Sequence, residues 1–207
     1  VILFLAIFFT HGFNRESSVS YAGTMISVVL TSLLAMFAVK MTHLSGFTGD
    51  ESTYLNINTK GLLDFSGLLL AGIIVGVLGV LDDIAITQAS VVTELFNTDK
   101  SLTRRQVYAK AIRVGKEHVS ALVNTLILAY VGTALPLLLL IKSYGYDFQT
   151  VLNLESISTE IIRAIVGSIG LIMTVPIVTL LAVFYLKDYT PKHVHKGHSH
   201  SHGGHGH

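Results

Sequence analysis

The chain has no cysteine, no tryptophan, three prolines and few charges: 13% of its 207 residues are Asp, Glu, Lys or Arg, against about 25% in ordinary globular chains. Without cysteine there is no disulfide, thiolate nucleophile or cysteine metal site. Lys+Arg 14 against Asp+Glu 13 leaves +1, too little to attract a polyanion, which excludes a nucleic-acid binder. A Gly-rich phosphate loop, an H-E-x-x-H and a Ser nucleophile elbow are also missing, so no enzymatic activity is expected. What is abundant is apolar surface: 51% of residues are hydrophobic and the mean hydropathy is +0.62. That excludes a disordered chain and a freely soluble enzyme. Eighteen glycines beside so few prolines is a mix suited to closely packed helices.

A hydrocarbon core about 30 Å thick needs about 20 mostly apolar residues in a helix. Residues 19–41, 62–92, 119–141 and 160–186 meet that requirement, the last entered through Arg163 in its first turn. Val1–Phe9 is apolar but reaches only about 14 Å at about 1.5 Å per residue, and is read as the cut end of a partial span. The expected fold is therefore all-α, a polytopic transmembrane bundle of four complete spans and a partial one. Basic residues set its orientation. Arg15, Lys100, Arg104, Arg105, Lys110, Arg113, Lys116, Lys187, Lys192 and Lys196 alternate onto one side, leaving Lys40, Lys60, Lys142 and Arg163 on the other. The positive-inside bias makes the first side cytoplasmic. The outer segment 142–159, with Phe148, Val151, Leu152, Leu154 and Ile157, is suited to lie along the interface.

Residues 102–118 read as a cytoplasmic amphipathic helix. Val107, Tyr108, Ala111, Ile112 and Gly115 recur at helical spacing while basic residues cover the rest. Such a helix is expected on the inner leaflet, where each cation near anionic lipid gains about 1 kcal/mol. A merely positive-inside loop with helical propensity is the plainer alternative.

Polar groups inside the spans are the candidate site. Along residues 62–96, Gly72, Gly76, Gly79, Asp83, Ser90 and Glu94 fall within about 40° of one stripe. Gly72-Ile-Ile-Val-Gly76 is a G-x-x-x-G, which lets another backbone approach closely. This placement turns Asp83 into the bundle and Asp82 toward the flank. An ionised carboxylate at mid-bilayer costs about 2.5–3.5 kcal/mol on insertion scales. Two adjacent ones also repel, so the pair suits a group that takes up and releases a proton. The competing structural reading makes the pair an N-cap or helix break before Ile84, and a metal site wants more oxygen ligands than two. On the next span Thr125, Ala129, Gly132 and Pro136 share a face beside Asn124; on the last, Ala164, Gly167, Gly170 and Thr174 share another, followed by Pro176. Packed together, these faces would hold Asn124, Thr125 and Ser90 against Asp83, although an intramembrane Asn or Thr also serves as plain interhelical glue.

Gly79-Val-Leu-Asp-Asp-Ile-Ala-Ile-Thr-Gln-Ala-Ser90, Ala111-Ile-Arg-Val-Gly-Lys-Glu-His118 and Val123-Asn-Thr-Leu-Ile-Leu-Ala-Tyr-Val-Gly-Thr-Ala-Leu-Pro136 resemble the YibE/F family of multi-spanning bacterial membrane proteins. Val166-Gly-Ser-Ile-Gly170 and Pro176 continue the likeness, which runs to about Leu186. It implies a bacterial cell membrane and a longer N-terminus, with no settled biochemical function. The order of elements is also distantly similar to the second to sixth helices of RND-type transporters and of the SecD/SecF subunits of protein export. That resemblance implies a protonatable Asp83, with Asp82 less securely, and Asn124 and Thr125 as its neighbours.

His193, His195, His198, His200, His202, His205 and His207 crowd a Gly/Ser/Lys-spaced tail, residues 188–207, read as flexible and cytoplasmic. Neutral imidazoles suit Zn²⁺, Ni²⁺ or Cu²⁺, and the irregular spacing suits a natural tail more than a purification tag. No resident cofactor is expected beyond such a metal. The leading expectation is a permease-like module, proton-coupled through the Asp pair. A non-transporting membrane subunit and a metal-handling protein compete with it. The bilayer and a second copy or another membrane subunit are the expected partners.

Overall fold

The structure, a computed structural model, describes residues 2–187. It is 85% helical without strands, and four of its helices are long and apolar enough to cross a membrane. In chain order the helices are α1 (Ile2–His11), α2 (Arg15–Met41), α3 (Asp50–Asn58), α4 (Phe65–Thr98), α5 (Arg104–Tyr144), α6 (Phe148–Asn153) and α7 (Glu155–Tyr185). The four candidate spans are α2, α4, α5 and α7.

Local chemistry explains most of the boundaries. Gly12, at a φ of +75°, turns the chain after α1, and the Asn14 side chain then caps α2 by accepting the Ser17 N–H at 2.6 Å. Thr103 and Gln106 form a capping box at the start of α5, and Gly145 ends it in the left-handed region at a φ of +69°. Asp147 caps α6; the hydroxyl of Thr150, and after it the Thr150 N–H, hold its carboxyl below the usual carboxylate range. In the turn after α2, the Gly46 N–H at 2.6 Å and the Ser45 hydroxyl at 2.8 Å donate to the Glu155 carboxylate, tying that turn to the start of α7.

α4 and α7 pair at the centre, with α2 against one side of the pair and α5 against the other. Ser20 meets Ala85, Gly170 meets Thr31 and Gly115 meets Val175, so α2 and α5 run one way and α4 and α7 the other. Lipid tails are as apolar as leucine, so close approach and interhelical hydrogen bonds hold such a bundle rather than area removed from water. The buried face of α2 shows this: it is Ser17, Ser20, Gly23, Thr24, Ser27, Thr31 and Ala35, a hydroxyl-and-glycine face, while Leu33, Met36 and Phe37 point outward. Ser20, Thr24 and Ser27 donate back to the carbonyl four residues earlier, which satisfies the hydroxyls and leaves a smooth surface.

Two expectations change. Of the segment 102–118, residues 104–118 are helical and amphipathic, yet they form no element of their own. α5 runs unbroken for 41 residues, about 60 Å, from the basic segment through the apolar one. Its Val107 and Ala111 pack with Ala85, Ala89 and Val92 of α4 and Val178 and Ala182 of α7, so the apolar face meets protein and not the leaflet. The last helix begins at Glu155, so Arg163 sits in its third turn. There it pairs with Glu160 at 3.0 Å and lies over the Tyr130 ring at 5.8 Å, bound within the protein instead of reaching out from a helix end. The segment 142–159 holds the short α6, exposing Phe148, while Ile157 is already buried in α7. Pro136 and Pro176 lie inside α5 and α7, both of which continue through them.

Candidate functional site

α4 is continuous across the carboxylate pair, so Asp82 and Asp83 are neither an N-cap nor a break before Ile84. The Asp83 carbonyl stays in the helix and also accepts the Thr87 hydroxyl at 2.9 Å. The orientation of the pair is the reverse of the sequence reading. The core face of α4 is Ile73, Val77, Leu81, Ile84, Ala85, Gln88 and Val92. Asp83 is exposed, and Asp82 is the half-buried member. One Asp82 carboxyl oxygen, Oδ1, is shielded from solvent without a hydrogen-bond partner. His11, at the end of α1, and Asp83 are the charges within electrostatic range of it. Seventeen uncharged residues separate Asp64 from Asp82, about 26 Å of helix. Ser20 lies level with Ala85, a turn beyond Asp82. The pair thus stands at the C-terminal end of the apolar run of α4, near where α2 begins, and not at its middle.

The other residues expected around Asp83 do not gather there. Ser90 is exposed on α4; Thr125 is exposed and bonds its own helix at Ala121 O, 3.0 Å away; Asn124 lines a groove between α5 and α7. The glycines divide. A Cβ on Gly167 would lie 3.0 Å from Leu126, and one on Gly170 2.6 Å from the Thr31 hydroxyl, so both mark close helix contacts. Gly72, Gly79 and Gly132 have nothing within 4 Å of an added Cβ, and Gly76 meets only the Tyr130 hydroxyl, at 3.6 Å. The stripe bearing Asp83 therefore faces out of the bundle. The reason is geometric: apolar Leu, Ile and Val recur on the opposite side of the same helix, and α2, α5 and α7 take that side.

Gln88 was legible and overlooked. It is 1% exposed, and its amide donates to Ala111 O at 2.9 Å and to the Thr179 hydroxyl at 2.7 Å, joining α4, α5 and α7. The signal was its register: Gln88 follows Leu81 by seven residues and Ile84 by four, squarely on the apolar stripe. His11 had no such signal, since its approach to Asp82 depends on how α1 folds back. Three or more His, Asp or Glu able to hold a metal are not found together among the described residues. The histidines from 193 to 207 lie outside those residues.

The profile of the family described as YibE/F-like protein matches residues 1–188, which takes in all seven helices. The chain belongs to the YibE/F family. Neither a curated protein nor a solved structure matches it. The membership and the four apolar helices together make this YibE/F chain a multi-pass integral membrane protein. On α4 the segment Gly79–Ser90 carries the shielded Asp82 and the Gln88 junction, about 1.7 turns apart.

Proposed function

We propose that this YibE/F chain is a permease-like module of a bacterial cell membrane, with Asp82 as the group that takes up and releases a proton. One observation carries the reading: a carboxyl oxygen enclosed in a helical bundle, unpartnered, and without a Lys or Arg ion pair among the described residues. Ionisable residues kept within a span at a cost mark ion and proton pathways. The distant likeness to RND-type helix order pointed to Asp83; the burial of the neighbouring carboxyl is what moves the same chemistry to Asp82. The positive-inside bias makes the end bearing Arg15, Lys100, Arg104 and Lys187 cytoplasmic, and carries the tail there too.

An apolar carbodiimide attacks protonated carboxyls in apolar surroundings, so labelling in native membranes across pH 5 to 9, read by mass spectrometry, tests the proposal. Asp82 is expected to label at neutral pH and Asp83 to stay unmodified. Absence of label on Asp82 above pH 5 would remove the proton role. The outward Gly72–Asp83 stripe favours a second reading, a subunit that assembles through α4. Under it, Gly79→Leu abolishes a cross-linked oligomer while the monomer keeps its fold.

A further inference from the structure

Between α5 and α7, on the side away from α4, lies a groove of about 460 Å³, within the about 300–1,000 Å³ range of ligand sites. Its floor is Val119 and Val123 of α5 with Ile172 and Val175 of α7. Among the described residues Lys116 is the one charged side chain lining it, and Tyr108, Ser120 and Asn124 add polar groups. We infer that this groove holds a membrane phospholipid with an anionic head group, its phosphate on Lys116 and one acyl chain along the valine floor.

The placement of charge selects that occupant. Helical side chains lean toward the N-terminus, which on α5 is the basic end, so the Lys116 ammonium is carried off the apolar floor toward Tyr108. Arg105, eleven residues earlier, shares the Lys116 face, and Arg113 stands one turn away; all three are exposed. Glu117 is about 100° round the helix, and α7 has no charged residue after Arg163. The groove is thus cationic at one end and apolar below, matching an anionic head on a chain. One turn on from Lys116, Ser120 offers a hydroxyl, and Asn124 an amide, where ester oxygens would follow the phosphate. Pro176 contributes the shape: without an N–H it leaves the Ile172 carbonyl unpaired, and both residues stand in the groove wall. Gly115 brings α5 onto Val175 just behind, so the groove has a solid back. The inference does not depend on Asp82.

Native mass spectrometry of the full chain in detergent, doped with phosphatidylglycerol or phosphatidylcholine, tests it. The chain is expected to retain phosphatidylglycerol over phosphatidylcholine by about fivefold. Lys116→Gln should erase that preference, Ser120→Trp should fill the groove and lower retention of both lipids, and Lys110→Gln, about 120° round α5 from Lys116 and outside the lining, should change neither. Equal retention of the two lipids by the wild type overturns the proposal. So does a loss with Lys110→Gln matching that with Lys116→Gln, which would mean a diffuse basic belt. A two-chain species that retains no lipid and is broken by Ser120→Trp would instead place a second copy in the groove.

Discussion

At Gln88 a single side chain does what several apolar contacts cannot: it fixes the rotation of three helices relative to one another. Its amide hydrogens reach a backbone carbonyl of α5 and a hydroxyl of α7, both buried. Thr179 in turn donates its hydroxyl to Val175 O at 2.6 Å, so the bonds run in series from Gln88 to the backbone of α7. Gln88→Leu keeps the volume and removes both donors. Interhelical hydrogen bonds in membranes are worth about 0.6 to 1.7 kcal/mol, less than in a watery reference state, because the unfolded helices find other partners in lipid. A loss of about 1–2 kcal/mol in detergent unfolding is therefore expected, and an unchanged midpoint would show the junction to be incidental. Asp82 and Asp83 differ by the same logic. Adjacent on the helix, they are about 100° apart, which suffices to leave one carboxyl half-buried and the other exposed.

Among the elements, glycine has two uses that look alike in sequence. Gly23 meets Val178, and Gly170 meets Thr31, with an added Cβ 2.6 Å from its neighbour in each case; these let α2 and α7 approach. Gly72 and Gly79 touch nothing. Gly170→Leu should then cost about 1–3 kcal/mol of bundle stability through overpacking. Gly79→Leu should leave the unfolding midpoint of the monomer unchanged or raised, since an open helical glycine is worse than most residues by about 0.5–1 kcal/mol. Equal losses for the two variants in one denaturation series would mean that the α4 stripe is packed after all. The hydroxyl face of α2 belongs to the same lesson. Serines and threonines bonded to their own helix behave as small residues, so the polar-looking side is the one other helices can approach.

For the whole molecule, the four long helices alternate in direction, and the ends of α2, α4, α5 and α7 that carry Arg15, Lys100, Arg104 and Lys187 come together. The absence of cysteine makes the resulting topology simple to measure. Ser101→Cys, between α4 and α5, is expected to react with an impermeant maleimide only after cells are broken, and Tyr146→Cys, beyond α5, in intact cells. The opposite pattern would invert the orientation and, with it, the leaflet that the α5–α7 groove faces.

Composition and hydropathy were enough for the all-α class and the four long apolar helices, because the bilayer demands about 20 apolar residues per crossing and few other patterns supply them; the family was legible only in particular segments such as Gly79–Ser90. Helix extents were less legible: α5 absorbs a segment that reads as separate, since a change from basic to apolar composition does not break a helix that lacks a capping signal. The identity of the buried faces was settled by packing. A stripe of glycines or hydroxyls states that a close neighbour is possible, not that one is present. On α2 the neighbour is there; on α4 the apolar side was taken by three helices and the glycine stripe with Asp83 was left outside. Asp82, Gln88 and Lys116 owe their surroundings to contacts between elements 23 to 91 residues or more apart, and no periodicity along a single helix carries that information.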